Sequence, residues 1–232
     1  RASKDALEIA LMRKAQVITD TGFAFIVDFI EPGMTEAQVQ RALDTFMLDA
    51  GAEGLAFPTI VATGAHAASP HAISGDTRIA AGDAIVMDFG ARFGGYCSDM
   101  TRTVFVGEPA EKMHRAWEAM RSANEAAEAA LRSGKTGAEI HELAEAVLAE
   151  GGFANTMGHG LGHSLGIDIH EDPALSPRNT KPLPAGAVLT VEPGIYLPDE
   201  FGMRLEDFGV VTETGYDMIT QSSHDMVIIE PH

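Results

Sequence analysis

Residues 81–90 read AGDAIVMDFG and residues 185–194 read AGAVLTVEPG, two apolar, strand-like runs that echo each other at an offset of 104 positions, each carrying a carboxylate at its eighth position. Working outward from either run, the same order of elements returns. Ahead of the first, Leu7, Leu11, Ala15 and Ile18 keep helical spacing from Asp5 onward, and that helix should stop by Glu31, before Pro32-Gly33. TEAQ at 35–38 is a capping box that opens a second helix running to Gly51. Ahead of the second run, Met113, Trp117, Met120, Ala127 and Leu131 mark a helix. TGAE at 136–139 is then another capping box, before a helix ending near Gly151-Gly152. The two boxes lie 101 residues apart. Recurrence of two features in one order implies an internal duplication. Two units are too few for a solenoid, which needs about three or more. The expected product is one α+β domain over residues 1–232, with halves of approximately 1–110 and 111–232 packed about a pseudo-two-fold axis. Each half would cover antiparallel strands with two helices, and no linker or low-complexity tract separates them.

Ala84 to Arg92 and Tyr96 to Val106 read as strands around a tight turn at Phe93-Gly94-Gly95. With Phe93-Gly94 as a two-residue loop, Asp88 lies directly opposite Asp99, and such partners have Cβ atoms ~5 Å apart on one face. Val188 to Leu197 and Gly202 to Thr212 flank a looser turn at Pro198-Asp199-Glu200, in a register that sets Glu192 opposite Glu206. Facing carboxylates on otherwise apolar strands repel strongly unless a cation lies between them. Four of them form a hard donor set suited to manganese, iron or cobalt, with magnesium or zinc as alternatives. They also carry more charge than one divalent ion compensates, and a pair of ions roughly 3.5 to 4 Å apart would form a hydrolytic centre.

Between the two hairpins lies GHGLGHSLGIDIHE, residues 158–171, with His159, His163 and His170. Each glycine costs a helix ~1 kcal/mol against alanine, so this is no zinc-binding helix. The glycine-rich backbone would instead bring one imidazole close to crowded strands, leaving the others as proton donors or orienting groups in a cleft. Spacing alone does not say which is which.

Composition narrows the partners. Sixteen basic against thirty-four acidic side chains give a formal charge of −18, which opposes nucleic acid and anionic membranes and favours a metal ion or a free amine. Cys97 is the single cysteine, so no internal disulfide forms, and no apolar run approaches the roughly eighteen residues of a membrane span. A cytoplasmic location follows as the default.

VMDFGARFGGYCSDMTRT, GHGLGHSLGIDIHEDP, TVEPGIYLP and GMRLED together resemble the pita-bread metallopeptidases, which include Xaa-Pro aminopeptidases, prolidases and methionine aminopeptidases. The similarity runs over essentially the whole chain, and SDMTRT and HGLGH are closer to the Xaa-Pro branch. It implies the pita-bread (creatinase/aminopeptidase) fold and two divalent ions, manganese first and cobalt, zinc or iron(II) as alternatives. By this resemblance Asp99 and Glu206 bridge both ions, Asp88 serves the first, and His163 with Glu192 the second. His71, His159 and His170 would line the substrate cleft, and Arg204 would support the site near Glu206. The implied substrate is a peptide with a free amino terminus and proline second. A water activated by the two ions attacks the first peptide bond, Glu192 carries its proton, and His170 or His71 steadies the developing charge. Relatives of the Xaa-Pro type usually carry an additional amino-terminal domain that contributes to dimerisation; this chain starts where the catalytic domain would, and a homodimer stays open. The alternatives are a methionine aminopeptidase, a non-peptidase hydrolase or lyase on the same fold, or a non-catalytic binding module.

Other motifs carry less. HELAE at 141–145 opens like a zincin helix, but glutamate stands where a second histidine is required, so it reads as a solvated helix face. SGKT at 133–136 lacks the first glycine and the leading strand of a phosphate loop. His66 reads as a surface residue and Cys97 as a packed strand residue without a base partner. Phe57-Pro58 and Tyr196 suit either a cleft wall or the core.

Overall fold

The computed structural model describes residues 2–230. Helix α1 (Ala6–Phe29) starts at Asp5, whose carboxylate accepts from the Leu7 and Glu8 amides while Glu8 reaches back to the Asp5 amide. α2 (Glu36–Asp49) and α4 (Gly137–Glu150) open on the two expected capping boxes, Thr35 with Gln38 and Thr136 with Glu139. α3 (Glu111–Ala130) begins at Ala110 without a side-chain cap.

Fourteen strands, some only two residues long, are described. β1 (Gly54–Leu55), β4 (Ala91–Phe93) and β5 (Tyr96–Cys97) form a small sheet. β2 (Ile60–Thr63), β3 (Ala84–Phe89), β6 (Met100–Val106) and β14 (Val227–Ile229) form a second, in the order β14-β6-β3-β2, with β14 parallel to β6. The largest sheet takes β7 (Gly162–Ser164), β8 (Glu171–Leu175), β9 (Val188–Val191), β12 (Asp207–Val211) and β13 (Tyr216–Met218) in the order β13-β12-β9-β7-β8. β10 (Gly194–Leu197) and β11 (Phe201–Arg204) extend β9 and β12 as a two-stranded hairpin.

Each helix pair buries its apolar stripe on one sheet. Ile26 of α1 and Leu43 and Met47 of α2 cluster with Ile85, Met87, Phe89 and Val104, all fully buried. Trp117 and Met120 of α3 and Ile140 and Leu148 of α4 cluster with Leu189, Val191 and Leu205. Burial of each such side chain is worth roughly 1.5–3 kcal/mol, which holds the layers together. The edge-to-face contact of Phe105 with Trp117, centroids 5.8 Å apart, joins the two systems.

The second hairpin has the expected register, since Val191 pairs Asp207 and Gly194 pairs Arg204, bracketing Glu192 and Glu206. The first does not. Phe93 pairs Tyr96, so the turn is Gly94-Gly95 and Asp88 pairs Thr101 rather than Asp99. Both glycines have positive φ, 58° and 80°, the conformation that a tight two-residue hairpin requires and that phenylalanine at its first position would resist. The displacement is by two residues, so Asp88 and Asp99 remain on one face, diagonal instead of opposite. The long strands expected from sequence are also broken, at Gly90, at Ser98-Asp99 and at Glu192-Pro193.

The main sheets meet where β6 runs past Glu206. The Glu206 amide donates to the Thr101 carbonyl at 3.1 Å, and the Thr103 hydroxyl accepts from the Arg204 amide at 3.1 Å while donating to its carbonyl at 2.9 Å. Carboxylates from both sheets are thereby drawn to one seam.

Candidate metal centre

Asp88 leaves β3, Asp99 sits at the break between β5 and β6, Glu192 follows β9, Glu206 precedes β12 and His163 stands at the middle of β7. His163 reaches its place because β7 crosses β9 with no side chain between them: a Cβ on Gly162 would lie 2.1 Å from the Thr190 carbonyl oxygen. The Thr190 hydroxyl accepts from the His163 amide at 2.9 Å and donates to Glu192 Oε1 at 3.1 Å. His163 Nε2 then stands 3.5 Å from Asp99 Oδ2 and 3.4 Å from Glu192 Oε1. One ligand-type atom each from Asp99, His163 and Glu206 lies within 4.8 Å of the others.

All nine residues singled out from the sequence, Asp88, Asp99, His163, Glu192 and Glu206 with His71, His159, His170 and Arg204, line one cavity of about 340 Å³. His71 and His170 stand at its exposed rim, and His170 packs edge-on against His163 with ring centroids 4.4 Å apart. Phe57 lines the cavity as well.

The electrostatics are those of an acidic cluster awaiting a counter-ion. Burial, and then repulsion from Glu206, Asp88 and Glu192, pushes the Asp99 carboxyl well above its ordinary range. Burial, followed by Glu192 and Asp88, does the same to Glu206, and burial raises Glu192. Burial lowers His159, His163 and His170, which favours neutral imidazoles. Asp88 Oδ1 is buried with no hydrogen-bond partner, and a buried carboxylate oxygen with nothing to accept is costly unless a cation takes it. The donor set therefore fits divalent metal.

Arg204 is the cation that faces this cluster. It ion-pairs with Asp88, donates to the Thr101 hydroxyl at 3.0 Å and to the Tyr196 hydroxyl at 2.7 Å. The Thr101 hydroxyl in turn donates a hydrogen bond to Glu206 Oε2 at 2.6 Å, and His159 Nε2 lies 3.1 Å from the Tyr196 oxygen. Thr101 and Thr190 carry no signal in the sequence, because Glu206 and Arg204 reach Thr101 from more than a hundred residues away and His163 reaches Thr190 from 27 residues away. Tyr196 is neither plain core nor plain wall but joins His159 to Arg204.

Two other sequence readings change. His66 is half-buried, with Nδ1 2.8 Å from the fully buried Glu36 carboxylate. His141 is buried rather than solvated, and its Nδ1 accepts from the Leu161 amide at 3.2 Å. Cys97 is buried in β5, as expected. Behind Glu206, Glu128, Asp207 and His224 form a second acidic group. Asp207 is neutralised there by Arg102 at 2.6 Å and by His224 at 2.7 Å, whereas Glu128 Oε1 is buried without a partner.

Residues 10–213 match metallopeptidase family M24, and the chain belongs to that family. Within it, the chain is 37% identical over 227 residues to an Xaa-Pro dipeptidase of Pyrococcus furiosus, covering 98% of this chain and 65% of the relative. It superposes on an X-Pro aminopeptidase from Thermotoga maritima with a TM-score of 0.97 at 39% identity, covering 99% of this chain and 65% of that one. An Xaa-Pro dipeptidase from Bacillus anthracis gives 0.96 at 38% identity, covering 98% and 64%. The fold is thus the pita-bread α+β fold. The chain spans about two thirds of the length of these relatives. Among the described residues no helix is long and apolar enough to cross a membrane.

Proposed function

We propose that this chain is the catalytic unit of a two-metal peptidase that releases the first residue from peptides or dipeptides with proline second. The observation that carries the reading is the single cavity in which four carboxylates, the His163 imidazole, three further histidines and one arginine converge. Charge alone admits one ion or two, because Arg204 offsets part of the cluster. Donor count favours two: four carboxylates and an imidazole offer more atoms than the roughly six that a hard divalent ion takes. Asp88, Asp99, His163, Glu192 and Glu206 would hold them, and manganese suits the oxygen-rich set best.

When bound, the ions would supply Lewis acidity and a nucleophilic water at neutral pH. The residues supply the rest. Glu192, whose carboxyl is raised by burial, takes a proton and delivers it to the departing nitrogen. In an X-Pro bond that nitrogen carries no hydrogen of its own. His170 and His71, at the rim, donate to the carbonyl oxygen as charge develops. Arg204 and Thr101 hold Asp88 and Glu206 in place. Phe57, Ile60, Pro70 and Ile169 give the same cavity an apolar wall against which a proline ring would pack. A free amine would rest against the acidic cluster.

We read residues 1–232 as one catalytic unit built from two repeats that divide near residue 110, working in the cytoplasm; a homodimer is compatible with it. The test is a length series of X-Pro peptides, with Gly-Pro, Ala-Pro-Pro and a proline-free control, run with manganese, cobalt and zinc. Cleavage confined to X-Pro peptides supports the reading, and none under any metal overturns it.

A further inference from the structure

Lys4 is buried, with a side chain 2% exposed, and stands far from any sequence motif of the site. Its ammonium donates to Ser164 Oγ at 3.2 Å and to Glu171 Oε2 at 2.8 Å. Ser164 is the neighbour of His163, and Glu171 is the neighbour of His170. One cation thus ties together the two ends of the turn 164–171, the turn that sets the His170 ring edge-on against His163. The backbone on either side is fixed as well: the Lys4 amide donates to the Gly186 carbonyl at 2.8 Å, and Ser3 Oγ to Ala185 at 2.9 Å. Inside the turn the Gly166 amide donates to Asp168, and the Asp168 amide to Glu171 Oε1. Gly166 admits this packing only because it has no side chain, since a Cβ there would lie 2.7 Å from Glu171 Oε1 and 2.9 Å from Lys4 Cε.

We propose that Lys4 is a positioning residue that locks the 164–171 turn and so holds His170 against His163. A buried ammonium bonded to a carboxylate and a hydroxyl is a directional tie of the kind that fixes a side chain to a fraction of an ångström. Without that ammonium the Glu171 side chain is no longer tied to Ser164, and the turn that carries the neighbouring His170 loses the link between its two ends. The proposal rests on the peptidase reading for its catalytic consequence, but not for its structural one.

The experiment compares wild type, Lys4→Met, Lys4→Arg, His170→Ala and the double variant Lys4→Met/His170→Ala. In the metal-free proteins, amide exchange at Gly166 and Asp168 and the imidazole carbon shifts of His163 and His170 are recorded. Lys4→Met should speed exchange at both amides about tenfold or more and move both imidazoles, with unchanged exchange in α3, and Lys4→Arg should restore much of it. On an X-Pro peptide, Lys4→Met should lower kcat about tenfold with a smaller change in KM, and His170→Ala should cost clearly less in the Lys4→Met background than in wild type. Unaltered exchange and shifts, or strictly additive losses, overturn the proposal. If Lys4→Met does not fold, Glu171→Gln, which keeps the shape and weakens the tie, takes its place with the same expectations. If wild type cleaves no X-Pro peptide, the function fails while exchange and shifts still decide the clamp.

Discussion

Glu128→Gln offers a measurement whose size the structure sets. Burial, and then the Asp207 charge, raises the Glu128 carboxyl from 4.5 to about 8, and its Oε1 has no hydrogen-bond partner to lose. The folded protein therefore holds a proton that the unfolded chain releases above pH 4.5. Native binding of the extra proton makes stability fall as pH rises, by ~1.36 kcal/mol per unit between those values. Across pH 5.5 to 7.5, inside that window, the upper bound is about 2.7 kcal/mol. Sharing of the titration with Asp207 and His224 brings the expected figure to about 1–2 kcal/mol. Glutamine is neutral throughout, so the variant should gain that much on wild type over the interval. For a chain of this length that is a relative shift in Tm of roughly 3–8 °C. Thermal or urea unfolding of both proteins at the two pH values in chelator reads it directly, since contributions from the metal cluster are common to both and cancel. A stability difference that stays constant with pH would refute an uncharged, buried Glu128.

Asp99→Asn should abolish turnover, by roughly a thousandfold or more, yet raise the Tm of the metal-free protein, because it removes a buried carboxyl that its neighbours repel. Calorimetric titration with manganese in buffers of different ionisation enthalpy should show proton release on binding, since Asp99 and Glu206 hold protons to unusually high pH; by the same sign, affinity should weaken as pH falls. Gly162→Ala should destabilise the fold by about 1–3 kcal/mol in urea unfolding, its Cβ meeting Thr190 backbone 2.1 Å away. Chelation should stop turnover and lower Tm, and manganese should restore both.

What could be read ahead of the structure was local or periodic. Asp5, Thr35 and Thr136 announce their helices because a cap is satisfied within three residues. The Glu192 and Glu206 register follows from centring the hairpin on Pro198-Asp199-Glu200, and Leu197 does pair Phe201 across that turn. Phe93-Gly94-Gly95 admits two placements of a two-residue loop, and the demand of such loops for positive φ, met by Gly94 and Gly95, favours the one not expected; the metal reading survived because a slip of two keeps the face. Tyr196, Thr101 and Thr190 could not be recognised, for the fold brings their partners to them: Thr101 meets Glu206 across the seam, Thr190 meets His163 from the neighbouring strand, and Tyr196 meets His159 and Arg204. The burial of His141 escaped notice because the partner it needs, the Leu161 amide, belongs to the glycine-rich loop and not to its own helix.

The seam also orders the life of the molecule in time. Thr101 and Glu206, 105 positions apart, are hydrogen-bonded to each other, and the carboxylates on either side of that bond come from opposite halves of the chain. No fragment that ends before Glu206 carries all five candidate ligands, so the full set comes together only when the second half of the chain joins the first.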